Sequence, residues 1–250
     1  MTNTPPALPM KLAHICAVIT GAARGIGFAT ASRLIQHGAR VVLADINEAT
    51  LNTALEQLNS PLAIAAIADI AKPQDCANLA SIAQSSGMPL NLWINNAGLA
   101  RHRPICEYSE HEIDLMLSVN LKGTILGSQA ALRTMSANRA GHIINVISTA
   151  SLRGIPTETV YCAAKWGARG FTQGLREEAA ASGVRVTALL PGGVDTPFWK
   201  DAVSRQMPTG DFLTAEQVAE SIVSLASMDP SIVPQELVLR AINDRDFAQS

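Results

Sequence analysis

A tyrosine, a lysine and a serine have the side chains needed to move a proton at a substrate oxygen. Tyr161 and Lys165 are four residues apart, so on a helix they share one face, about one turn apart. A phenol titrates near pH ~10 in water, and a fixed ammonium group nearby would lower that pKa. Ser148 ends the apolar run of residues 142–147, and its hydroxyl could hold a substrate oxygen beside Tyr161. A tyrosine and a lysine at this spacing also occur by chance on many helices.

A glycine-rich loop near the N-terminus predicts a binding site for phosphate groups. Residues 14–20 form an almost unbroken apolar run, as expected of a parallel strand covered on both faces. Glycines at 21, 25 and 27 follow, and residues 28–38 have a helical pattern. Glycines let the backbone approach a ligand closely, and a helix N-terminus attracts a pyrophosphate. The spacing is G-x-x-x-G-x-G rather than G-x-G-x-x-G, and glycine-rich segments are also simply good turns, so both interpretations stay open for this loop alone.

An acidic residue ends the next predicted strand. Asp45 closes the run 40–45 and follows Gly27 by 18 residues. A carboxylate there can accept hydrogen bonds from the ribose hydroxyls of NAD and would repel the additional phosphate of NADP. The alternative is that Asp45 caps the helix predicted from Asn47 onwards. The preceding loop favours the ribose role.

Strands and helices alternate along the rest of the chain. Further strands are predicted at 62–68, 92–94, 142–148, 184–190 and 236–242, and helices at 47–59, 73–86, 109–137, 158–181 and 214–227. This order predicts an α/β fold, a single Rossmann-type doubly wound domain over residues 1–250 with a seven-stranded parallel sheet flanked by helices. Ligands of such sheets bind at the carboxyl ends of the strands. Residues 20–21, 45, 69 and 95–98 fall at those ends.

Three further segments carry predictions. Asn120 lies in an apolar helical stretch, where a buried amide needs a partner, so structural pairing and chemistry are equally open. Residues 196–213 have little regular pattern and contain Phe198 and Trp199, which predicts a substrate lid with an apolar inner side. Residues 1–11 and 244–250 are predicted to be flexible tails.

Composition excludes several classes of partner. A formal charge of −2 and a pI near 6.2 give no electrostatic reason to expect nucleic acid or an anionic membrane. The four cysteines form no C-x-x-C pair, so we expect no metal site. No apolar run reaches the ~18 residues of a membrane span, and no signal-peptide pattern opens the chain, so we expect a cytoplasmic protein.

The motifs together resemble those of the classical short-chain dehydrogenase/reductases, over residues 12–242. Residues 20–27 match the family's T-G-x-x-x-G-x-G loop and residues 95–98 its N-N-A-G turn. Residues 161–165 match Y-x-x-x-K, and residues 191–196 match P-G-x-V-x-T. Asn120 and Ser148 stand where the family's catalytic Asn and Ser would.

The resemblance implies hydride transfer between a nicotinamide and an alcohol or carbonyl carbon. Tyr161 would be the general acid/base, and Ser148 would hydrogen-bond the reacting oxygen. Lys165 would lower the pKa of Tyr161 and bind the nicotinamide ribose. Asn120 would hold a water that links Lys165 to solvent. The substrate would be a small-molecule alcohol or carbonyl compound.

The resemblance also implies a set of cofactor contacts and an oligomer. Asp69 and Ile70 would lie at the adenine, Asn96 at the adenosine ribose, and Val194 and Thr196 at the carboxamide. The complete implied set is Gly21, Arg24, Gly25, Ile26, Gly27, Asp45, Asp69, Ile70, Asn96, Ala97, Gly98, Tyr161, Lys165, Pro191, Val194 and Thr196. Family members form homodimers or homotetramers through the helices predicted at 109–137 and 158–181. The family's C-terminal glycine pair is missing here, which leaves the choice between dimer and tetramer open.

The sequence supports one main function and two alternatives. The main one is an NAD-dependent oxidoreductase acting on a secondary alcohol or ketone. Since Arg24 could help to bind a phosphate, an NADP-dependent carbonyl or 3-oxoacyl reductase is an alternative. A non-catalytic dinucleotide-binding regulator is another. Four basic residues could attract an anionic substrate or could be solvated surface charges: Arg101, His102, Arg103 and Arg153.

Overall fold

The computed structural model describes residues 12–203 and 208–243. The predicted tails, 1–11 and 244–250, and residues 204–207 of the predicted lid lie outside the described residues.

A parallel sheet forms the centre of the fold. Its seven strands are β1 (Cys16–Thr20), β2 (Arg40–Asp45), β3 (Ala63–Ile67), β4 (Leu90–Asn95), β5 (Gly141–Val146), β6 (Val184–Pro191) and a last strand, numbered β9, at Glu236–Leu239. Their order is β3-β2-β1-β4-β5-β6-β9, and each neighbouring pair is parallel. The chain runs outwards from β1 in one direction and then from β4 in the other, which creates a crevice at the carboxyl ends of β1 and β4. The predicted doubly wound sheet is confirmed.

Burial explains why these runs became strands. Every residue of β1 and of β6 is buried, since helices cover both faces of the sheet. The strand predicted at 236–242 is shorter than expected, since pairing with β6 ends at Leu239.

Helices cover both faces of the sheet and build a core on each. They are α1 (Gly25–Gln36), α2 (Glu48–Leu58), α3 (Pro73–Gln84), α4 (Glu110–Leu117), α5 (Thr124–Asn138), α6 (Thr159–Ala180), α7 (Phe198–Ala202) and α8 (Ala215–Ser227). Leu34 of α1, Leu51 of α2 and Ile222 of α8 pack in one buried cluster. Leu79 of α3, Met135 of α5 and Leu175 of α6 pack in a second one. Each cluster includes side chains from alternate positions of the strands, as the twofold periodicity of strands requires.

The helix predicted over 109–137 is not uniform. A capping box between Ser109 and Glu112 opens α4, and a π-helical segment at Ser118–Gly123 separates α4 from α5. π-Helical turns of this kind occur often at functional sites. Asn120 lies within this one.

The predicted lid has more order than its sequence pattern indicated. Val194–Asp195 (β7) pairs in parallel with Leu213–Thr214 (β8), and α7 lies between them in the chain. Among the described residues, none of the helices is both long and apolar enough to cross a membrane.

Candidate active site

The four predicted catalytic residues come together at the carboxyl ends of the central strands. Ser148 follows β5, and its hydroxyl is hydrogen-bonded to Tyr161, which lies on the buried face of α6. Lys165 lies one turn further along α6, with Nζ 5.5 Å from the centre of the Tyr161 ring. Asn120 and Lys165 both flank Gly98, where an added Cβ would lie 2.9 Å from Asn120 Oδ1 and 3.7 Å from Lys165 Nζ.

Burial controls the ionisation of Tyr161 and Lys165. Burial raises the pKa of the Tyr161 phenol, the Ser148 hydrogen bond opposes that rise, and Glu158 adds to it. Burial also lowers the pKa of Lys165 to about 8. The prediction that Lys165 lowers the pKa of Tyr161 is wrong for this arrangement. The Lys165 ammonium group lies over the Tyr161 ring and donates to Val146 O at 3.3 Å. Burial removes the phenolate from water, and the free energy lost in this way exceeds what the surrounding groups contribute to stabilising the phenolate.

Asn120 ties the N-N-A-G turn to the helix. Its Nδ2 donates to Leu99 O at 2.8 Å and to Met116 O at 2.9 Å, and its Oδ1 accepts from Leu99 N at 3.2 Å. The side chain is completely buried. The structural pairing left open by the sequence is therefore present, while a role in holding water stays a prediction.

A buried polar network behind the site was missed by the sequence analysis. Asn95 Oδ1 accepts from Trp93 Nε1 at 2.8 Å, and Asn95 Nδ2 donates to Ser128 Oγ at 2.9 Å and Asn145 Oδ1 at 2.8 Å. Asn145 Nδ2 donates to Thr172 Oγ1 at 2.8 Å. The network joins β4, β5, α5 and α6 beneath the catalytic residues. The signal for it was an asparagine inside each of two apolar strands, because a buried amide needs partners.

The glycine loop is shaped by close contacts. Gly21 and Gly25 have φ angles of +63° and +56°, which favour glycine, and a Cβ on Gly27 would lie 2.4 Å from Gly21 O. Asn96 Nδ2 donates to Thr20 O at 2.9 Å and to Gly21 O at 3.0 Å, so its amide holds the loop. Helix α1 begins at Gly25, within this loop, and its N-cap residue provides no side-chain hydrogen bond to the first turn. The loop therefore presents backbone N–H groups suited to a pyrophosphate.

Asp45 lies across the glycine loop. Its Oδ2 accepts from Ala23 N at 3.2 Å and its Oδ1 from Asn47 N at 3.1 Å. Helix α2 is capped by Asn47, whose side chain accepts from Thr50 N. The alternative that Asp45 is the helix cap is therefore wrong, and its carboxylate stands at the carboxyl end of β2.

The turn after β3 places the two predicted adenine contacts differently. Asp69 Oδ1 accepts from Ala71 N at 3.0 Å, and Asp69 Oδ2 lies 3.6 Å from Lys72 Nζ. The Ile70 side chain is buried against Gly123 of the π-helical segment, where no room for a Cβ remains. Any contact of Ile70 with a ligand would therefore use its backbone.

The segment after β6 closes the other side of the loop. Pro191 ends β6, and Val194 is buried in β7. A Cβ on Gly25 would lie 3.2 Å from Thr196 Cγ2, so Thr196 packs directly on the glycine loop. The structure thus brings together the motif predicted to hold the pyrophosphate and the motif predicted to hold the carboxamide.

Helix α7 covers Tyr161 with aromatic side chains. The Phe198 ring lies 6.2 Å from the Tyr161 ring between centroids, and Trp199 lies 5.6 Å from Phe198. Trp199 also lies 5.8 Å from the His102 ring and 5.3 Å from Phe212. Its Nε1 donates to the backbone oxygen of Val194 at 2.8 Å, which fixes the indole above the site.

Several of the basic residues near the site contact protein groups. Arg101 Nη1 donates to Asp201 O at 2.7 Å, and Arg103 Nε lies 2.9 Å from Glu112 Oε1. His102 Nδ1 lies 3.4 Å from Glu158 Oε1. These contacts favour a structural role for the basic residues over the attraction of an anionic substrate. In the part of the chain that the structure describes, no group of three or more His, Cys, Asp and Glu side chains could hold a metal ion.

Comparisons with known proteins agree on one group of relatives. A family model described as short chain dehydrogenase matches residues 15–207. An uncharacterized oxidoreductase of Staphylococcus aureus is 34% identical over 227 residues, which cover 90% of this chain and 96% of that relative. The structure of an alcohol dehydrogenase from the archaeon Thermococcus sibiricus complexed with 5-hydroxy-NADP has a TM-score of 0.83 at 28% identity, covering 92% of this chain and 98% of that one. The structure of a 3-ketoacyl-(acyl-carrier-protein) reductase from Brucella melitensis complexed with NADH has a TM-score of 0.84 at 28% identity, and the match covers 91% of this chain and 97% of that one.

Proposed function

Because the chain belongs to the short-chain dehydrogenase family of oxidoreductases, as its motifs indicated, we propose that it transfers a hydride between NAD(H) and a secondary alcohol or ketone, with Tyr161 as general acid/base. One observation supports this function above all. Tyr161, Ser148 and Lys165 meet beneath α7 and beside the glycine loop, at the sheet edge where ligands of doubly wound folds bind.

The residues of the site fit a dinucleotide. The absence of a side chain at Gly27 lets Gly21 O pack directly against the start of α1, and α1 offers an N-terminus without a side-chain cap. The glycine loop, including Ile26, would hold the pyrophosphate, Asp45 would hold the adenosine ribose, and Arg24 would meet a 2′-phosphate where the cofactor carries one. The other groups proposed to hold the cofactor are Asp69 and Ile70 at the adenine, Asn96, Ala97 and Gly98 along the turn, Tyr161 and Lys165 at the nicotinamide ribose, and Pro191, Val194 and Thr196 at the carboxamide.

Proton transfer falls to the residues of α6 and the turn after β5. A bound nicotinamide supplies or accepts the hydride. In reduction, Tyr161 donates its proton to the carbonyl oxygen, and Ser148 hydrogen-bonds the same oxygen as negative charge develops. Since burial raises the pKa of Tyr161, the phenol stays protonated at neutral pH and is ready to donate. Lys165 holds a proton near the phenol and replaces the one donated, and Asn120 fixes the backbone beside it.

We infer NAD rather than NADP from the position of Asp45. A 2′-phosphate at the ribose would meet this carboxylate and be repelled. Initial rates with NAD and with NADP test the inference. Asp45→Ala is expected to reduce the ratio of the rate with NAD to the rate with NADP. A wild-type enzyme that prefers NADP would contradict it.

The aromatic cover of the site favours an apolar or aromatic substrate. Phe198 faces Tyr161 from α7 and Trp199 packs edge-on against Phe198, while Arg101 and Arg103 contact protein groups. The 3-oxoacyl reductase alternative draws on the likeness to the Brucella enzyme. A panel of alcohols, ketones and 3-oxoacyl thioesters, followed by NADH absorbance, separates the two. Turnover restricted to the thioesters would establish the alternative.

We also propose a homodimer or homotetramer assembled through α5 and α6. Trp166 on α6 is half exposed, and Gly170 and Gly174 present open backbone on the same helix. A large aromatic ring beside small residues suits close helix packing. Light scattering on the wild type and on Trp166→Glu tests this: the variant should have a lower mass, and a monomeric wild type would rule the assembly out.

A further inference from the structure

Arg24 of the glycine loop is held by an acidic residue of α7. Its Nη2 lies 2.6 Å from Asp201 Oδ2, and 53% of each side chain is exposed. The two residues are 177 positions apart, so the ion pair joins two segments that only the fold brings together. A pair this exposed contributes little to stability, which means that a competing charge can displace either partner.

The same end of α7 is fixed over the catalytic tyrosine. Arg101 Nη1 donates to Asp201 O at 2.7 Å, and the neighbouring Ala202 is buried in one cluster with Tyr161. Phe198, at the other end of this short helix, lies against the Tyr161 ring. Displacement of Asp201 would therefore disturb the cover over Tyr161.

Arg24 also lies beside the proposed ribose site. Its neighbour Ala23 donates its backbone N–H to Asp45 Oδ2 at 3.2 Å, so Arg24 directly follows the residue that is bonded to this carboxylate. A 2′-phosphate at this position would be repelled by Asp45 and attracted by Arg24. NAD has no such phosphate and leaves Arg24 with Asp201.

We propose that the Arg24–Asp201 ion pair couples the choice of cofactor to the position of α7, an inference that rests on the dinucleotide site proposed above. The 2′-phosphate of NADP can bind Arg24 only if the Arg24–Asp201 pair breaks. Breaking the pair releases the end of α7 above Tyr161. NAD leaves the pair intact. Asp201 is therefore a second determinant of NAD preference, in addition to Asp45. By thermodynamic linkage, a substrate that keeps α7 closed weakens NADP binding by the same factor by which NADP weakens binding of that substrate.

Direct binding measurements test the pair without relying on turnover. Calorimetry gives the Kd of NAD⁺ and of NADP⁺ for the wild type, Asp201→Asn, Arg24→Gln and the double variant. Asp201→Asn should tighten NADP⁺ by roughly three- to fivefold, the scale of an exposed ion pair, and leave NAD⁺ unchanged within about twofold. Arg24→Gln should weaken NADP⁺, and adding Asp201→Asn to it should have no further effect, because the partner is gone.

A matched control comes from a second ion pair on α1. Arg33 Nη2 lies 2.7 Å from Glu220 Oε1 of α8, and both side chains are exposed. Glu220→Gln removes the same charge from an arginine partner on the same helix. Glu220→Gln should change neither the Kd of NAD⁺ nor the Kd of NADP⁺. This result would separate loss of the Arg24–Asp201 pair from a general change in surface charge.

Hydrogen exchange of amides 198–203 reports on α7 itself. Val203 N donates to Trp199 O at 3.3 Å, and its amide hydrogen exchanges with solvent when α7 opens and this bond breaks. In the wild type, exchange should be faster with NADP⁺ than with NAD⁺, whereas Asp201→Asn should exchange equally fast with both.

The outcomes separate this coupling from the proposed function. A wild type that binds neither dinucleotide refutes both. If NAD⁺ binds but Asp201→Asn leaves the Kd of NADP⁺ unchanged, the coupling is refuted and the function stands. The same holds if Asp201→Asn changes the Kd of NADP⁺ by the same factor in the wild type and in Arg24→Gln. If amides 198–203 of the wild type exchange at the same rate with NAD⁺ and with NADP⁺, the coupling is likewise refuted and the function stands.

Discussion

The glycine loop and helix α7 meet at the candidate site, but different kinds of contact hold them. In the loop, a Cβ on Gly27 would lie 2.4 Å from a backbone oxygen, and Asn96 ties two backbone carbonyls at 2.9 and 3.0 Å. Helix α7 has five residues and is held by aromatic rings and by an exposed ion pair at Asp201. Steric and backbone contacts fix the loop, whereas side chains on a surface position α7.

This difference divides the proposed work of the site. A loop defined by its backbone can hold the part of a ligand that never varies, such as a pyrophosphate. A short helix held by side chains can differ between proteins and can move during a reaction cycle. We therefore expect changes in the loop to act on cofactor binding and changes in the aromatic residues of α7 to act on the substrate, whereas Asp201 acts on NADP through its pair with Arg24.

The largest effect on cofactor binding is expected in the loop. Gly27→Ala places a methyl group against Gly21 O, and overpacking of about 1–3 kcal/mol is expected to be relieved by a shift of the loop, which lowers NAD⁺ affinity by up to roughly 10- to 100-fold. Calorimetry measures the Kd. Gly174→Ala is the control, because a Cβ there meets nothing within 4 Å. Unchanged NAD⁺ binding in Gly27→Ala would remove the basis of the comparison.

The same contrast explains what the sequence could predict. Apolar runs ending in Asp45 or in the 95–98 turn indicated the sheet and its ligand-binding edge, since an apolar run and a glycine turn can be read from neighbouring residues alone. The π-helical turn around Asn120 was not predictable, because its residues also suit an ordinary α-helix. The pKa of Tyr161 was predicted in the wrong direction, since burial depends on the packing of distant elements. The Arg24–Asp201 pair joins residues whose separation along the chain gives no periodic signal.

The pH dependence of the two reaction directions comes next in size. Alcohol oxidation needs Tyr161 as phenolate, and its pKa is raised, so the phenolate fraction grows roughly tenfold per pH unit across the working range. Oxidation should therefore accelerate with pH, while carbonyl reduction, which needs the protonated phenol and the proton of Lys165, should stay nearly constant up to about pH 8 and fall above it. Stopped-flow rates in both directions measure this. An oxidation rate independent of pH would contradict the assignment.

The smallest effect is expected on α7. Phe198→Ala removes a partly buried ring from the cover of Tyr161, and about 1 kcal/mol of lost burial lowers kcat/KM for an apolar ketone roughly fivefold. The Kd of NAD⁺, measured on the same variant, should stay at the wild-type value. If NAD⁺ binding weakened as much as kcat/KM, the division between loop and α7 would be wrong.

Turnover of Tyr161→Phe at saturating NAD⁺ or NADH tests the central claim most directly, because the substitution removes a single oxygen from the proposed proton donor. Tyr108→Phe makes the same change in the chain's other tyrosine, whose hydroxyl donates to Thr157 O at 3.0 Å. We predict that Tyr161→Phe lowers kcat by roughly 10²- to 10⁴-fold with the Kd of NAD⁺ retained, and that Tyr108→Phe stays active. Wild-type turnover in Tyr161→Phe would contradict the account.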